Sequence, residues 1–169
     1  MPETESRSAS SRVLFDAGVL IAALLKGDSR HMEARPLIEQ ARQGQLIACT
    51  TAGILSEVYG ALTWEKAEPR HSPTDAAQAV WLLVEPPSAI VVLSEGLEVV
   101  LQALKLAASH GLTARRVHDA RHAAAAMVAG VSSIYTYDAG DWKVFESDGP
   151  KIVGPPSTLS QISQVPRRT

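Results

Sequence analysis

Asp16 follows directly on the apolar run Val13-Leu14-Phe15, and Asp138 stands two residues beyond the run Ile134-Tyr135-Thr136. Each alone reads as a turn aspartate, whose side chain bonds nearby backbone. Glu57 lies in ILSEVYGAL, where Ile54, Val58, Ala61 and Leu62 form a stripe of helical period; the spacing predicts that Glu57 lies within the stripe and faces the core. A carboxylate placed there needs a partner, because unpaired burial costs several kcal/mol or forces protonation. Asp119 opens the segment HDARHAAAAMVAG, where a negative charge near a helix start offsets the helix dipole. Taken together, the order of acid after strand, acid within helix, acid at a late helix start and acid after the next strand predicts a cluster at one edge. Carboxylates about 4 Å apart repel by roughly 1 kcal/mol in water and about 4 kcal/mol at an intermediate dielectric, so the cluster calls for cations. All-oxygen ligands suit Mg²⁺ or Mn²⁺. Such ions acidify an attacking water and stabilise a leaving oxygen, which is the chemistry of phosphodiester hydrolysis without a side-chain nucleophile.

The elements that must position these acids alternate. Short apolar runs at Val13–Phe15, Leu46–Cys49, Ile90–Leu93 and Ser133–Thr136, with a fifth candidate at Lys151–Val153, read as strands. Helices are expected after Asp16-Ala17-Gly18, from a cap at Thr50 or Thr51 to about Trp64, from Asp75 to Val84, from a cap at Ser94 to about His110 with Gly111 as its stop, and from Val117 to Ala129. This alternation predicts an α/β fold: one parallel sheet of four or five strands flanked by helices, which binds ligands beyond the carboxyl ends of its strands. The domain is expected over 12–155, with a polar N-terminal tail at 1–11 and a C-terminal tail at 156–169.

With 169 residues, 46% hydrophobic and 20% charged, the chain suits one folded domain rather than disorder. Its formal net charge of −2 excludes an overall field that would attract nucleic acid, so any such binding needs a local patch. The single cysteine, Cys49 in LIACTT, cannot form an internal disulfide and reads as a buried strand residue. No apolar run reaches membrane-spanning length and no signal-peptide core is visible, so a cytoplasmic location is expected.

The segment His118-Asp119-Ala120-Arg121-His122 differs from the zinc-peptidase pattern H-E-x-x-H by an aspartate one methylene shorter. It also lacks a third ligand, since His31 and His71 fall in expected loops and His110 precedes a glycine break. The ordinary reading of its histidines is a solvated helix face. Arg115, Arg116 and Arg121 surround Asp119; with His122 and Lys143 they are candidate nucleic-acid phosphate contacts, His118 being a further one. Trp142 and Tyr137 are either core residues or stacking platforms for an unpaired base.

From about Val13 to Val153, the blocks LFDAGVLIAAL, ILSEVYGAL and HDARHAAAAMVAGVSSIYTYDAGDW resemble those of PIN-domain ribonucleases, most closely the VapC-type toxins of bacterial toxin–antitoxin pairs. The resemblance implies an endoribonuclease in which Asp16, Glu57, Asp119 and Asp138 hold Mg²⁺ or Mn²⁺. Asp141 replaces or supports Asp138, and the Thr136 hydroxyl orients the acids. It further implies an antitoxin protein that presents a basic side chain to the site, and a homodimer formed through helices, for which Met32, Leu37, Ile38 and HAAAAMVAG are candidate surfaces. Ala17 and Gly18 depart from the hydroxyl residue and Asn or Ser that often follow the first aspartate, which puts a supporting hydrogen bond to Asp16 in question. Two other readings compete. FDAGVL has a likeness to the nucleophile motif of haloacid-dehalogenase-type phosphatases, against which stands Gly18 in place of an acid. A catalytically silent PIN-like binding module is the other, against which stand the four retained acids.

Overall fold

The computed structural model describes residues 12–131 and 133–157. Its centre is a five-stranded sheet in the order β3-β2-β1-β4-β5, parallel throughout. β1 (Val13–Phe15) is buried along its whole length, as a strand covered on both faces must be. It pairs with β2 (Ala48–Thr51) through Val13 and Ala48, and with β4 (Ser133–Tyr135) through Phe15 and Tyr135. The chain winds outward from β1 through β2 to β3 (Val91–Leu93), then returns to the other side of β1 for β4 and β5 (Lys151–Gly154). The carboxyl ends of β1 and β4 therefore flank the point where the winding reverses, which is where such sheets open a crevice. Asp16 and Asp138 follow these two strands.

Helix α1 (Ala17–Leu24) starts immediately after β1; Asp16 caps it by accepting the Ala17 N–H at 2.8 Å. Helix α2 (His31–Arg42) was not anticipated, and the loop expected around His31 is corrected: His31 is the first helical residue, and its Nδ1 lies 2.9 Å from the Ala22 carbonyl oxygen, tying α2 to α1. β2 begins two residues later than Leu46 and runs through Thr51, which also caps α3 (Ala52–Thr63) by accepting the Ile54 N–H at 3.1 Å. Helix α4 (Pro73–Val84) begins two residues before Asp75, with Ser72 as its cap. Gly96, rather than Ser94, precedes α5 (Leu97–Ser109), and Gly111 at φ 61° ends that turn as glycine allows.

Helix α6 (Arg116–Val128) is built on small side chains: Ala120 and Ala123 through Ala126 are all buried, so its backbone sits close to its neighbours. That burial places HAAAAMVAG mainly in the core rather than on a partner surface. Of the other candidate surface residues, Ile38 is likewise buried and Leu37 partly so, while Met32 is exposed. A short helix α7 (Ala139–Trp142) and a 3₁₀ turn (Lys143–Asp148), neither of them anticipated, carry Trp142 and Phe145 into the core, edge to face at 5.7 Å. Within the expected C-terminal tail, Ser157 is described and bonds to Glu33 through its N–H and hydroxyl; residues 158–169, like the expected N-terminal tail at 1–11, lie outside the described residues. No described helix is long and apolar enough to cross a membrane.

Candidate functional site

Asp16 is fixed from three directions. Its Oδ1 accepts the Ala17 N–H, and its Oδ2 accepts both the Thr136 hydroxyl at 2.8 Å and the Trp142 indole N–H at 3.1 Å. Thr136 is fully buried and accepts the Asp138 N–H at 3.0 Å, so one hydroxyl couples the acid after β1 to the acid after β4. The support that Ala17 and Gly18 cannot give through side chains therefore comes from the β4 side. Trp142, 2% exposed, is a support for Asp16 and not a platform for a base. Burial raises the Asp16 pKa above the ordinary carboxylate value, and the bonds from Thr136 and Ala17 offset part of that rise.

Asp16, Glu57, Asp119 and Asp138 line one cavity of about 400 Å³. Burial also raises the Asp119 pKa, with repulsion from Asp16 adding to it and Arg116 opposing it. Asp138 is raised by burial first, then by its hydrogen bond and charge interaction with Asp141. Asp141, which does not line that cavity, also engages Arg116: its carboxylate faces the guanidinium at 3.4 Å, and its carbonyl accepts from Arg116 Nη2 at 2.8 Å. Arg116 Nε also reaches Asp119 Oδ2 at 3.3 Å, so this arginine bridges two acids.

Glu57 corrects its expected placement. Ile54, Val58 and Leu62 are fully buried, but Glu57 stands at the flank of that stripe with its side chain 45% exposed. Its partner is His122, whose Nε2 lies 2.8 Å from Glu57 Oε1 while its Nδ1 lies 2.9 Å from the Thr51 hydroxyl. His122 is only 1% exposed. The expectations of a solvated histidine and of direct RNA contact are both corrected: the ring lies behind the cavity wall and holds Glu57. Both of its nitrogens are engaged in these contacts.

Arg121 is turned the same way. Its Nε pairs with Glu95 at 2.9 Å, an electrostatic contact rather than a well-directed hydrogen bond, and Glu95 Oε2 accepts the Gly53 N–H at 2.8 Å. A Cβ at Gly53 would collide with the Arg121 guanidinium and come within 2.8 Å of the His122 ring, so glycine is what lets α3 and α6 close here. No feature of the sequence pointed to Glu95 or Gly53.

A second, larger cavity of about 790 Å³ adjoins the first and shares Glu57 and Asp119 with it. Arg115, Arg116, His118 and Arg121 supply its basic wall. Lys143 is exposed at the start of the 3₁₀ turn and lines neither cavity.

The donor set fits a hard divalent cation. It is all oxygen, three of its carboxylates have raised pKa values with burial as the leading cause, and their mutual repulsion is what a cation relieves. Among the described residues, no three His, Cys, Asp or Glu side chains are already closed around an ion-sized space. The acids line the cavity rather than fill it.

Known proteins share this architecture. The solved structure of VapC20 from Mycobacterium tuberculosis, described as a sarcin-ricin loop cleaving toxin, is 20% identical with a TM-score of 0.64, over 85% of this chain and 99% of that one. VapBC-1 from nontypeable Haemophilus influenzae is 15% identical with a TM-score of 0.56, over 84% and 96%. FitAcB from Neisseria gonorrhoeae is 15% identical with a TM-score of 0.58, over 85% and 97%. A sequence comparison with curated proteins gives no match. At these identities the structures speak for the fold alone, whereas the PIN domain family model matches residues 13–144, from the first strand into the start of the 3₁₀ turn that follows Trp142. Spanning the acids and four of the five strands of the sheet that positions them, that match makes this chain a member of the PIN domain family.

Proposed function

We propose that this chain is a divalent-metal-dependent endoribonuclease, the toxin of a toxin–antitoxin pair. The observation that carries the reading is the convergence of Asp16, Glu57, Asp119 and Asp138 on one cavity at the switch point of a PIN-domain sheet. In this reading Asp16, Asp119 and Asp138 hold Mg²⁺ or Mn²⁺, and Glu57, held by His122, completes the acidic edge. Asp138 is the fourth acid, because it shares the cavity with Asp16 while Asp141 is occupied with Arg116. The bound cation supplies charge neutralisation and an acidified water. The protein's part is to keep the carboxylates aimed: Thr136 and Trp142 prevent Asp16 from rotating, and Arg116 restrains Asp119.

RNA phosphates would lie along the larger cavity, against Arg115, Arg116 and His118. Arg121 and Lys143 are weaker candidates, the first because its Nε is buried against Glu95 and the second because of its position. The VapC20 description supports RNA as the substrate class. Toxin–antitoxin names among the structural neighbours support an antitoxin partner, and a cytoplasmic location goes with that role. For a homodimer, α5 exposes Leu97, Val100, Leu101 and Leu104, spaced as one helical stripe. Light scattering on the purified chain reads out this last point directly.

Against the phosphatase alternative stands Gly18, which occupies the position where that nucleophile motif carries a second acid. The test offers the purified chain single-stranded RNA and a phosphomonoester such as p-nitrophenyl phosphate, each with Mg²⁺, Mn²⁺, Zn²⁺ or chelator. Internal RNA cleavage with Mg²⁺ or Mn²⁺ and no monoester hydrolysis is expected. Monoester hydrolysis alone would favour the phosphatase, and inactivity toward both would favour the silent binding module.

A further inference from the structure

Among the described residues, Arg30 is the one basic residue on the wall of the acid cavity, and neither the motifs nor the proposed RNA track accounts for it. It sits just before α2 and is held unusually firmly for a side chain 40% exposed. Its Nε and Nη2 form a two-pronged pair with Asp28 at 3.0 and 2.9 Å, and its backbone N–H reaches the same carboxylate at 2.8 Å. The guanidinium carbon lies over the Tyr137 ring, 4.4 Å from its centroid. Tyr137 is anchored in turn by donating its hydroxyl to Glu33 at 2.7 Å, and Glu33 is held by Ser157. The Arg30 bond lowers the Asp28 pKa, so the pair stays ionised near neutrality. Asp28 takes the Nε and Nη2 edge of the fork, so among the described residues Nη1 carries no hydrogen bond, while the residue itself lines the cavity.

Resting on the ribonuclease reading, we propose that Arg30 is a substrate-positioning residue that binds an RNA phosphate from the side of the acids opposite the Arg115 and Arg116 track. A guanidinium already stacked and pinned loses little further freedom on binding an oxyanion. Placed beside Asp16 and Asp138, it would fix the strand where it crosses the acids, while Arg115 and Arg116 hold the flanking phosphates. The competing role is purely structural, a lock on the loop between α1 and α2.

The two roles separate by salt dependence. In a cleavage-silent Asp119→Asn background, the affinity for a labelled single-stranded RNA oligonucleotide is measured across a series of KCl concentrations. Arg30→Gln is expected to bind about tenfold more weakly and to reduce the slope of log affinity against log salt by about 0.7, one phosphate contact for a single strand. Arg30→Lys keeps the charge and is expected to keep the slope while recovering part of the affinity. Arg35→Gln, the same charge loss at an exposed α2 residue paired with Glu39, is expected to leave the slope unchanged. Equal losses of thermal stability in Arg30→Gln and Arg30→Lys, with affinity and slope unchanged, would overturn the proposal and leave the ribonuclease reading intact. If the background chain binds no RNA and the natural chain cleaves none, the ribonuclease reading falls and takes this proposal with it.

Discussion

Replacing Asp119 with asparagine is expected to stabilise the metal-free protein while abolishing its activity. Burial and repulsion from Asp16 and Asp141 raise the Asp119 pKa, and only Arg116 opposes them, through a pair with side chains 38% and 29% exposed. A pair that open contributes about 0–1 kcal/mol, and asparagine keeps an oxygen that can accept from Arg116. Removing the charge relieves burial and a carboxylate repulsion on the order of 1 kcal/mol or more. The net gain is about 1 kcal/mol, or roughly 2–4 °C in Tm for a chain of 169 residues. The sign with pH follows from the direction of the shift. The folded-state pKa lies above 3.8, so the penalty in the natural chain is fully present above the folded pKa. It fades as pH falls through that value and is gone below 3.8, where both states are protonated. The assay is thermal unfolding of both proteins in chelator at pH 7.5 and again at acidic pH, then with Mg²⁺. In chelator the variant should melt higher, with the gap closing in acid. With Mg²⁺ the natural chain should gain about 2.7 kcal/mol at one hundred times its dissociation constant, and the variant less. A variant that melts below the natural chain in chelator at neutral pH would refute the account of the acids as mutually repelling and short of a cation.

Other expectations follow from the contacts around the acids. Thr136→Val removes the hydroxyl that Asp16 and Asp138 share and should destabilise by about 1–3 kcal/mol and raise the Mg²⁺ concentration for half-maximal cleavage by about 10–100-fold, whereas Thr136→Ser should restore most of both in urea unfolding and cleavage titrations. His122→Leu leaves Thr51 and Glu57 without their shared partner; it should lower kcat more than it changes RNA affinity, and equal losses in both would show that the ring does more than hold Glu57. Gly53→Ala must displace Arg121 and His122 and should cost about 1–3 kcal/mol, part of which Arg121→Ala should return in a double-mutant cycle.

The sheet and the placement of Asp16 and Asp138 beyond its strands were legible because the apolar runs Val13–Phe15 and Ile134–Tyr135 end at a carboxylate or hydroxyl, as a buried strand such as β1 does where it leaves the core. Helix α2 was hidden by its charged composition and by Pro36 inside it, a residue that normally argues against a helix interior. Glu57 was misplaced because the buried stripe follows the single i, i+4 row Ile54, Val58 and Leu62, narrower than a generic amphipathic face, so a residue three positions on falls at its edge. The burial of His122 had no period to announce it, since α6 is lined with alanines and presents little contrast between its faces. Trp142 and Arg30 reach the site through contacts 126 residues apart and across a loop, relations that depend on how β4 and α2 fall against α1 and leave no mark in local spacing.

The central claim is tested most directly by following RNA cleavage through one cycle of metal removal and return. The purified chain would be assayed with Mg²⁺, after chelation, and after Mg²⁺ is restored, beside Asp16→Asn. The account predicts internal cleavage that stops with chelator, returns with Mg²⁺, and is lost in Asp16→Asn under every condition. Cleavage that persists in chelator, or that survives in Asp16→Asn, would contradict it.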